Sequence, residues 1–340
     1  MRGQSLGSWL SIGGVTVPGR VWLAPMTGVS DLAFRRTATN LGASYVATEM
    51  VACEQFARGC PDVVQKTAVG DGMPLMVVQL VGREPRWIAE AARPAARAGA
   101  HIIDLNFGCP AKEVTGHLSG SALMRDPELA ESLVRAAVEA VDVPVTVKMR
   151  LGWDDQSRNA PDVAARVQRA GAQAVTVHGR TRNQFYGGRA DWTAVREVKN
   201  AVNVPVLVNG DIVDVATARE AMRESGADGV MIGRGAIGRP WIARQIEAAL
   251  AGGTADEPGP PERLRIVTEH LRESVRLGGE VHGLRRFRKH LAAYLDAAPG
   301  PSTPPERRQL RSRLCRIESV RALIDELSAV WSGDTMRLAA

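Results

Sequence analysis

Two kinds of hydrophobic pattern alternate along the chain. Short runs in which nearly every position is apolar are followed by longer stretches whose apolar residues recur at helical spacing. The short runs are VWLAPM (21–26), SYVATEM (44–50), LMVVQLVG (75–82), HIIDLNFG (101–108), VPVTVKMR (143–150), QAVTVHGR (173–180), VPVLVNGD (204–211) and DGVMIGRG (228–235). Each reads as a strand apolar on both faces, the mark of a parallel sheet covered by helices. Four are preceded by a small-residue turn (LGAS, AGAH, AGAQ, SGAD), where a glycine ends one helix and feeds the next strand. VDVPV and VNVPV take that place before two others. Eight such units in about 230 residues predict an α/β fold, a closed (β/α)8 TIM barrel. The alternative, an open doubly wound sheet, is disfavoured because no G-x-G-x-x-G follows the first strand.

The pattern changes at both ends. SIGGVTVPG, ahead of the first run, predicts a hairpin. After Leu250 comes AGGTADEPGPPE (251–262), rich in Gly and Pro and read as a linker. Helical periodicity returns at 262–277, 283–297 and 305–331, with APGPSTPP between the last two. The expected organisation is a barrel over 1–250, a linker over 251–262, a small all-helical bundle over 263–332 and a disordered tail over 333–340.

In such a barrel, chemistry gathers at the C-terminal strand tips. The fourth tip is the most pointed: HIIDLNFGCP runs an apolar strand into Asn106, Gly108, Cys109 and Pro110. A lone cysteine is usually a small buried hydrophobe, but Gly108 and Pro110 fix this one at the mouth of a site. The other tips offer Pro25, Met26 and Thr27, then Gln79, Lys148 with Arg150, His178 with Arg180, Asn209, Gly210 and Asp211, and Gly233 with Arg234. NGDI and GRGAIGRP place glycines at neighbouring tips, where backbone amides, Arg234 and a helix N-terminus favour a phosphate. Lys148 lies inside an apolar run, so its ammonium needs an electron-rich partner, either a ligand or a carboxylate such as Asp104 or Glu49. His178 reads equally as a core histidine, and Gln79 as a backbone partner. Amide, ammonium, imidazole and phosphate pocket on one rim suit a planar phosphorylated cofactor such as flavin mononucleotide (FMN).

Composition narrows the field. At 45% hydrophobic and 24% charged the chain is ordinary globular protein, which excludes disordered and fibrous classes. It has no apolar run long enough to span a membrane. MRGQSLGSWLSIGG lacks the apolar core of a signal peptide, so a cytoplasmic protein is expected. Cys53, Cys60, Cys109 and Cys315 show no C-x-x-C spacing, so neither a disulfide framework nor a structural metal is expected. The net charge of +6 is concentrated: from Gly259 onward 15 Lys and Arg face 10 Asp and Glu, against 28 and 27 in the rest. A polyanion partner for the helical tail follows. Arginines number 38 and lysines only five, which singles out Lys148 as a compact point charge.

LAPMTGVSD, Glu49–Met50, QLVG, DLNFGCPAKEV, GSALMRDP, VKMRLGW, VHGRTR, NGDI and IGRGAIGRPW resemble the bacterial tRNA-dihydrouridine synthase family, nearest its B-type branch. HGLRRFRKHLAAYL is similar to that family's helical domain, so the resemblance spans nearly the whole chain. It implies FMN in the barrel, NADPH as reductant, tRNA as substrate and Cys109 as the proton donor to the reduced base. Pro25, Met26 and Thr27 would line the flavin ring, with Thr27 where alanine is frequent. Gln79 would bond to the ring, with Asn106 on the same cofactor side, and Lys148 and His178 would face its pyrimidine end. Asn209, Gly210, Asp211, Gly233 and Arg234 would hold the phosphoribityl tail. RNA contacts are expected from Lys112, Arg180, Arg182 and the tail cluster Arg285, Arg286, Arg288 and Lys289, which cannot all share one helix face. Two other functions stay open at this point: a flavin barrel acting on a small molecule, of the dihydroorotate-dehydrogenase sort, and a non-catalytic RNA-binding barrel.

Overall fold

The computed structural model describes residues 9–67, 73–254, 256–298 and 303–332. Strands β1 (Trp9–Ile12) and β2 (Val15–Pro18) form the expected hairpin, antiparallel with Ile12 opposite Val15. The barrel strands follow as β3 (Val21–Leu23), β4 (Val51–Ala52), β5 (Val77–Val81), β6 (Ile102–Phe107), β7 (Val145–Arg150), β8 (Ala174–His178), β9 (Val206–Asn209) and β10 (Gly229–Ile232). All pair in parallel, in the order β3-β10-β9-β8-β7-β6-β5-β4. The two edges meet where Val46 bridges Leu23 and Ala47 bridges Val77, which closes the barrel.

The helices outside it are α1 (Leu32–Asn40), α2 (Cys53–Ala57), α3 (Pro61–Lys66), α4 (Pro85–Arg97), α5 (Lys112–Thr115), α6 (Pro127–Val138), α7 (Ala160–Arg169), α8 (Trp192–Ala201), α9 (Val215–Ser225) and α10 (Ile242–Leu250). Aspartates 31, 126, 191 and 214 accept hydrogen bonds from the first-turn amides of α1, α6, α8 and α9 and so fix where these helices start.

Strand parity decides which residues enter the barrel. Ile103, Leu105 and Phe107 on β6, and Val145, Val147 and Met149 on β7, point outward into the layer beneath the helices. The alternate positions point inward. At the N-terminal end these are Val77, Ile102, Ala174, Leu207 and Met231, which pack with Leu10, Ile12 and Val17 of the hairpin. The hairpin therefore plugs that end. Further along, the inward positions become polar: Gln79, Asp104 and Thr146, then Asn106, Lys148, His178 and Asn209.

The second strand departs from expectation. The run 44–50 does not form a continuous strand; single bridges at Val46 and Ala47 precede the short β4. Side chains explain the interruption. The Thr48 hydroxyl accepts the Gln79 amide hydrogen, 3.0 Å, in place of a backbone carbonyl, and Glu49 turns its carboxylate to the Gly28 amide.

Three further helices follow among the described residues: α11 (Pro260–Asp296), α12 (Pro304–Leu314) and α13 (Val320–Ser332). Helix α11 spans both helices expected before residue 297 and is broken at Gly279 (φ 71°, ψ 171°), while the single helix expected over 305–331 is two. Their shared core, including Phe287, Leu291, Leu314, Leu327 and Trp331, also takes in Trp241 of the barrel. The bundle grips the barrel through the Arg36–Glu273 ion pair, 2.6 Å, and the Phe34–His290 ring stack, 5.4 Å. It comes so close to the β10 tip that a Cβ at Gly238 would lie 2.6 Å from the Ala293 carbonyl oxygen. The tail 333–340 lies outside the described residues.

Candidate active site

A cavity of about 880 Å³ opens at the C-terminal strand ends. It is lined by Pro25, Met26, Thr27, Gln79, Asn106, Cys109, Lys148, His178, Asn209, Gly210, Asp211, Gly233 and Arg234, so the expected cofactor and catalytic residues come together. The apolar walls come from Met50, Ile212, Val213, Ile237 and the aromatic pair Phe185 and Tyr186.

Cys109 is held by its backbone. Asn106 Oδ1 accepts from the amides of Gly108 and Cys109, 3.1 and 2.8 Å. The Cys109 carbonyl accepts from the amide and the hydroxyl of Ser121, 3.0 and 2.9 Å. Arg150 Nε donates to the Gly108 carbonyl, 2.8 Å. The thiol, half-buried, has its pKa raised by desolvation, against the lowering effect of Arg150 and Lys148. At neutral pH it stays protonated, which suits an acid rather than a nucleophile.

Lys148 is half-buried in the cavity wall, and lost hydration brings its pKa down to about 8. Its Nζ donates to Asn209 Oδ1, 3.0 Å. Neither carboxylate raised as a partner bonds to it: Asp104 receives Gln79 and Thr146, and Glu49 receives Gly28. Asn209 in turn donates to the Met231 carbonyl, 2.7 Å, which fixes its amide. His178 is pushed well below the usual imidazole range by burial and by the positive charge of Lys148, Arg150 and Arg180. It is neutral.

Around the phosphate-type pocket, Gly210 (φ 113°) leaves no room for a side chain: a Cβ there would lie 2.8 Å from the His178 ring. Asp211 holds a left-handed backbone (φ 56°), pinned by Arg180 Nη2, 2.6 Å, and the Ala190 amide, 2.8 Å. Arg234 is largely exposed, 3.5 Å from Asp211, with its guanidinium over the Tyr186 ring.

The RNA-facing expectations divide. Lys112 is exposed on α5 at the mouth, and Arg182 is half-buried, stacked over Trp153 at 4.7 Å. Arg285, Arg286 and Lys289 share an exposed face of α11. Lys289 reaches the Gly28 loop that follows β3, at the cavity rim. Arg288 departs from that face, half-buried, with the Cys315 thiol feeling its charge. Arg180 differs from the others. It is 1% exposed, and its guanidinium serves Asp211, the Gly187 and Gly188 carbonyls and His178. A side chain so enclosed shapes the loop.

Sequence reasoning missed Phe185, Tyr186 and the structural use of Arg150. Arg150 donates to the Thr181 and Phe185 carbonyls as well as to Gly108, tying the aromatic loop to the cysteine loop. An aromatic pair inside RTRNQFYGGR, just past a strand tip, was the available signal.

Fold and rim together define a barrel enzyme whose chemistry lies at the strand tips. The dihydrouridine synthase family model matches residues 22–328. A probable tRNA-dihydrouridine synthase of Rhizobium leguminosarum is 51% identical over 282 residues, covering 83% of this chain and 87% of that one. The tRNA-dihydrouridine synthase B of Pseudomonas aeruginosa is 41% identical over 317 residues, 93% of each chain. Among solved structures, morphinone reductase matches with a TM-score of 0.54 at 17% identity, over 76% of this chain and 92% of that one, a likeness of fold. The chain belongs to the dihydrouridine synthase family. It is accordingly a flavin-dependent oxidoreductase that forms dihydrouridine in tRNA. No helix among the described residues is long and apolar enough to cross a membrane.

Proposed function

We propose that the cavity holds FMN and that the enzyme reduces the carbon 5–carbon 6 double bond of uridines flipped out of folded tRNA, with NADPH as reductant, in the cytoplasm. The observation that supports this most is a half-buried ammonium beside fixed amides, on the same rim as a protonated thiol. The residues fit the cofactor. Half-buried Lys148 donates to the neutral amide of Asn209, which leaves its charge for an electron-rich ring edge. Gly233 and Gly210 expose backbone beside the cationic Arg234, as a phosphate needs. Asp211 takes part through its backbone, since its carboxylate is engaged by Arg180.

Pro25, Met26 and Thr27 would form the wall against which the ring lies, with Gln79 and Asn106 also lining the cavity. The reduced flavin, when bound, supplies a hydride to carbon 6 of the uracil. Cys109 holds the proton that carbon 5 then takes, and its raised pKa keeps that proton in place until charge develops on the base. Lys148 and neutral His178 set the polarity of the far ring edge. A uracil inside folded RNA reaches this mouth only by leaving its stack. Lys112, Arg182, Arg285, Arg286 and Lys289 are the cations placed to hold the backbone meanwhile. Purified protein should be yellow, bleach with NADPH and restore dihydrouridine to tRNA from cells lacking it. Colourless protein, or reduction of free pyrimidine in preference to tRNA, would overturn the reading.

A further inference from the structure

Asp104 has no place in the reaction, yet it is a carboxylate 2% exposed inside the barrel. Its two oxygens accept from Thr146 Oγ1 and Gln79 Nε2, both at 2.7 Å. Gln79 Oε1 then accepts from Asn106 Nδ2 at 2.8 Å, and Asn106 Oδ1 accepts from the amides of Gly108 and Cys109. Parity of β5 and β6 puts Gln79, Asp104 and Asn106 on the inner face, and register sets Gln79 opposite Asp104.

A side-chain amide can be turned end for end, and alone it has no preferred sense. Here both ends of the chain of bonds agree. A carboxylate accepts only, so Gln79 must offer it nitrogen. Its oxygen then faces Asn106, whose nitrogen must answer, leaving the Asn106 oxygen for the two backbone amides. We infer that Asp104 is a positioning residue: through Gln79 and Asn106 it fixes the sense of both amides and thereby holds the Cys109 loop in one conformation. Buried polar chains of this sort are stable when every member is satisfied and loosen when one is lost. The consequence for catalysis rests on Cys109 as proton donor; the chain of bonds itself does not.

The test reads the thiol directly. Alkylation of the purified full-length chain by iodoacetamide is followed at the Cys109 peptide by mass spectrometry, with the Cys60 peptide as internal control. Asp104→Ala should speed Cys109 alkylation about fivefold, as expected for one lost hydrogen bond, and leave Cys60 unchanged. Gln79→Leu cuts the same chain one link on and should have the same effect, with the double variant no faster than either. Asp104→Asn keeps an acceptor for Gln79 and should stay within about twofold of the native rate. A native rate in Asp104→Ala, multiplied effects in the double variant, or equal acceleration at Cys60 would overturn the assignment. If Asp104→Ala fails to melt cooperatively, Gln79→Leu decides alone, and a native rate there also overturns it. Turnover plays no part in the readout, so failure here and failure of the tRNA reading are separable.

Discussion

The barrel mouth and the seam between α1 and α11 both enclose titratable side chains, and they treat them differently. At the mouth, Gln79, Asp104, Asn106, Lys148 and Asn209 each have directed partners, so every buried amide has a defined sense. At the seam, His270 and His290 are packed among Phe34, Phe287 and Tyr294, and each leaves Nε2 without a hydrogen bond. Burial drives both imidazoles below their usual range, His290 to about 4. Asp31 brings an oxygen to the pair, all donor atoms within 4.8 Å, but Arg35 and Arg286 act on Asp31 and Lys289 on His290, so a cation would gain little there. Directed bonding suits a place where an atom must be aimed. Neutral aromatic packing suits a place where two bodies must only stay together.

The largest effect that would sharpen this contrast lies at the mouth. Cys109→Ala should lower single-turnover reduction of tRNA by at least about 100-fold while flavin content and tRNA affinity remain. Normal turnover would remove the thiol from the reaction.

The seam is tested by acid. A histidine whose folded pKa is depressed takes up its proton first in the unfolded chain, so stability is full above about 6.5 and falls as pH drops below it. For His290, folded near 4, the loss at pH 5 should be about 2 kcal/mol. Asp31, raised by burial, acts in the opposite direction. Urea midpoints at pH 7 and pH 5 measure the loss, and His290→Phe should shrink it. A midpoint indifferent to pH would mean that the seam is not held by neutral rings.

The smallest effect concerns the exposed face above the seam. Neutralising Arg285, Arg286 and Lys289 together should reduce the slope of log affinity for tRNA against log salt by about 2. An unchanged slope would clear α11 of contact with the backbone.

The barrel was legible because its strands are marked twice, by continuous apolar runs and by the small-residue turns before them. The strand at 44–50 was not, because Thr48 and Glu49 act as hydrogen-bonding groups toward Gln79 and Gly28, which no propensity records. The cavity residues were readable as strand tips. The role of Arg180 was not: its spacing beside His178 suggested a surface cation, and only tertiary structure encloses it in the loop around Gly187 and Gly188. At Gly278–Gly279 the break was visible as a gap between two helical patterns, and Gly279 leaves helical backbone there, with φ 71° and ψ 171°.

The β1–β2 hairpin that seals the far end of the barrel has a kinetic consequence. With Leu10, Ile12 and Val17 stoppering that end, the cavity among the described residues opens at the strand tips. If FMN and NADPH serve as proposed, nicotinamide and nucleobase would both approach the flavin from the strand-tip side, one after the other. On that reading the spent reductant would leave before the RNA seats its base, and the catalytic cycle would divide into two alternating visits.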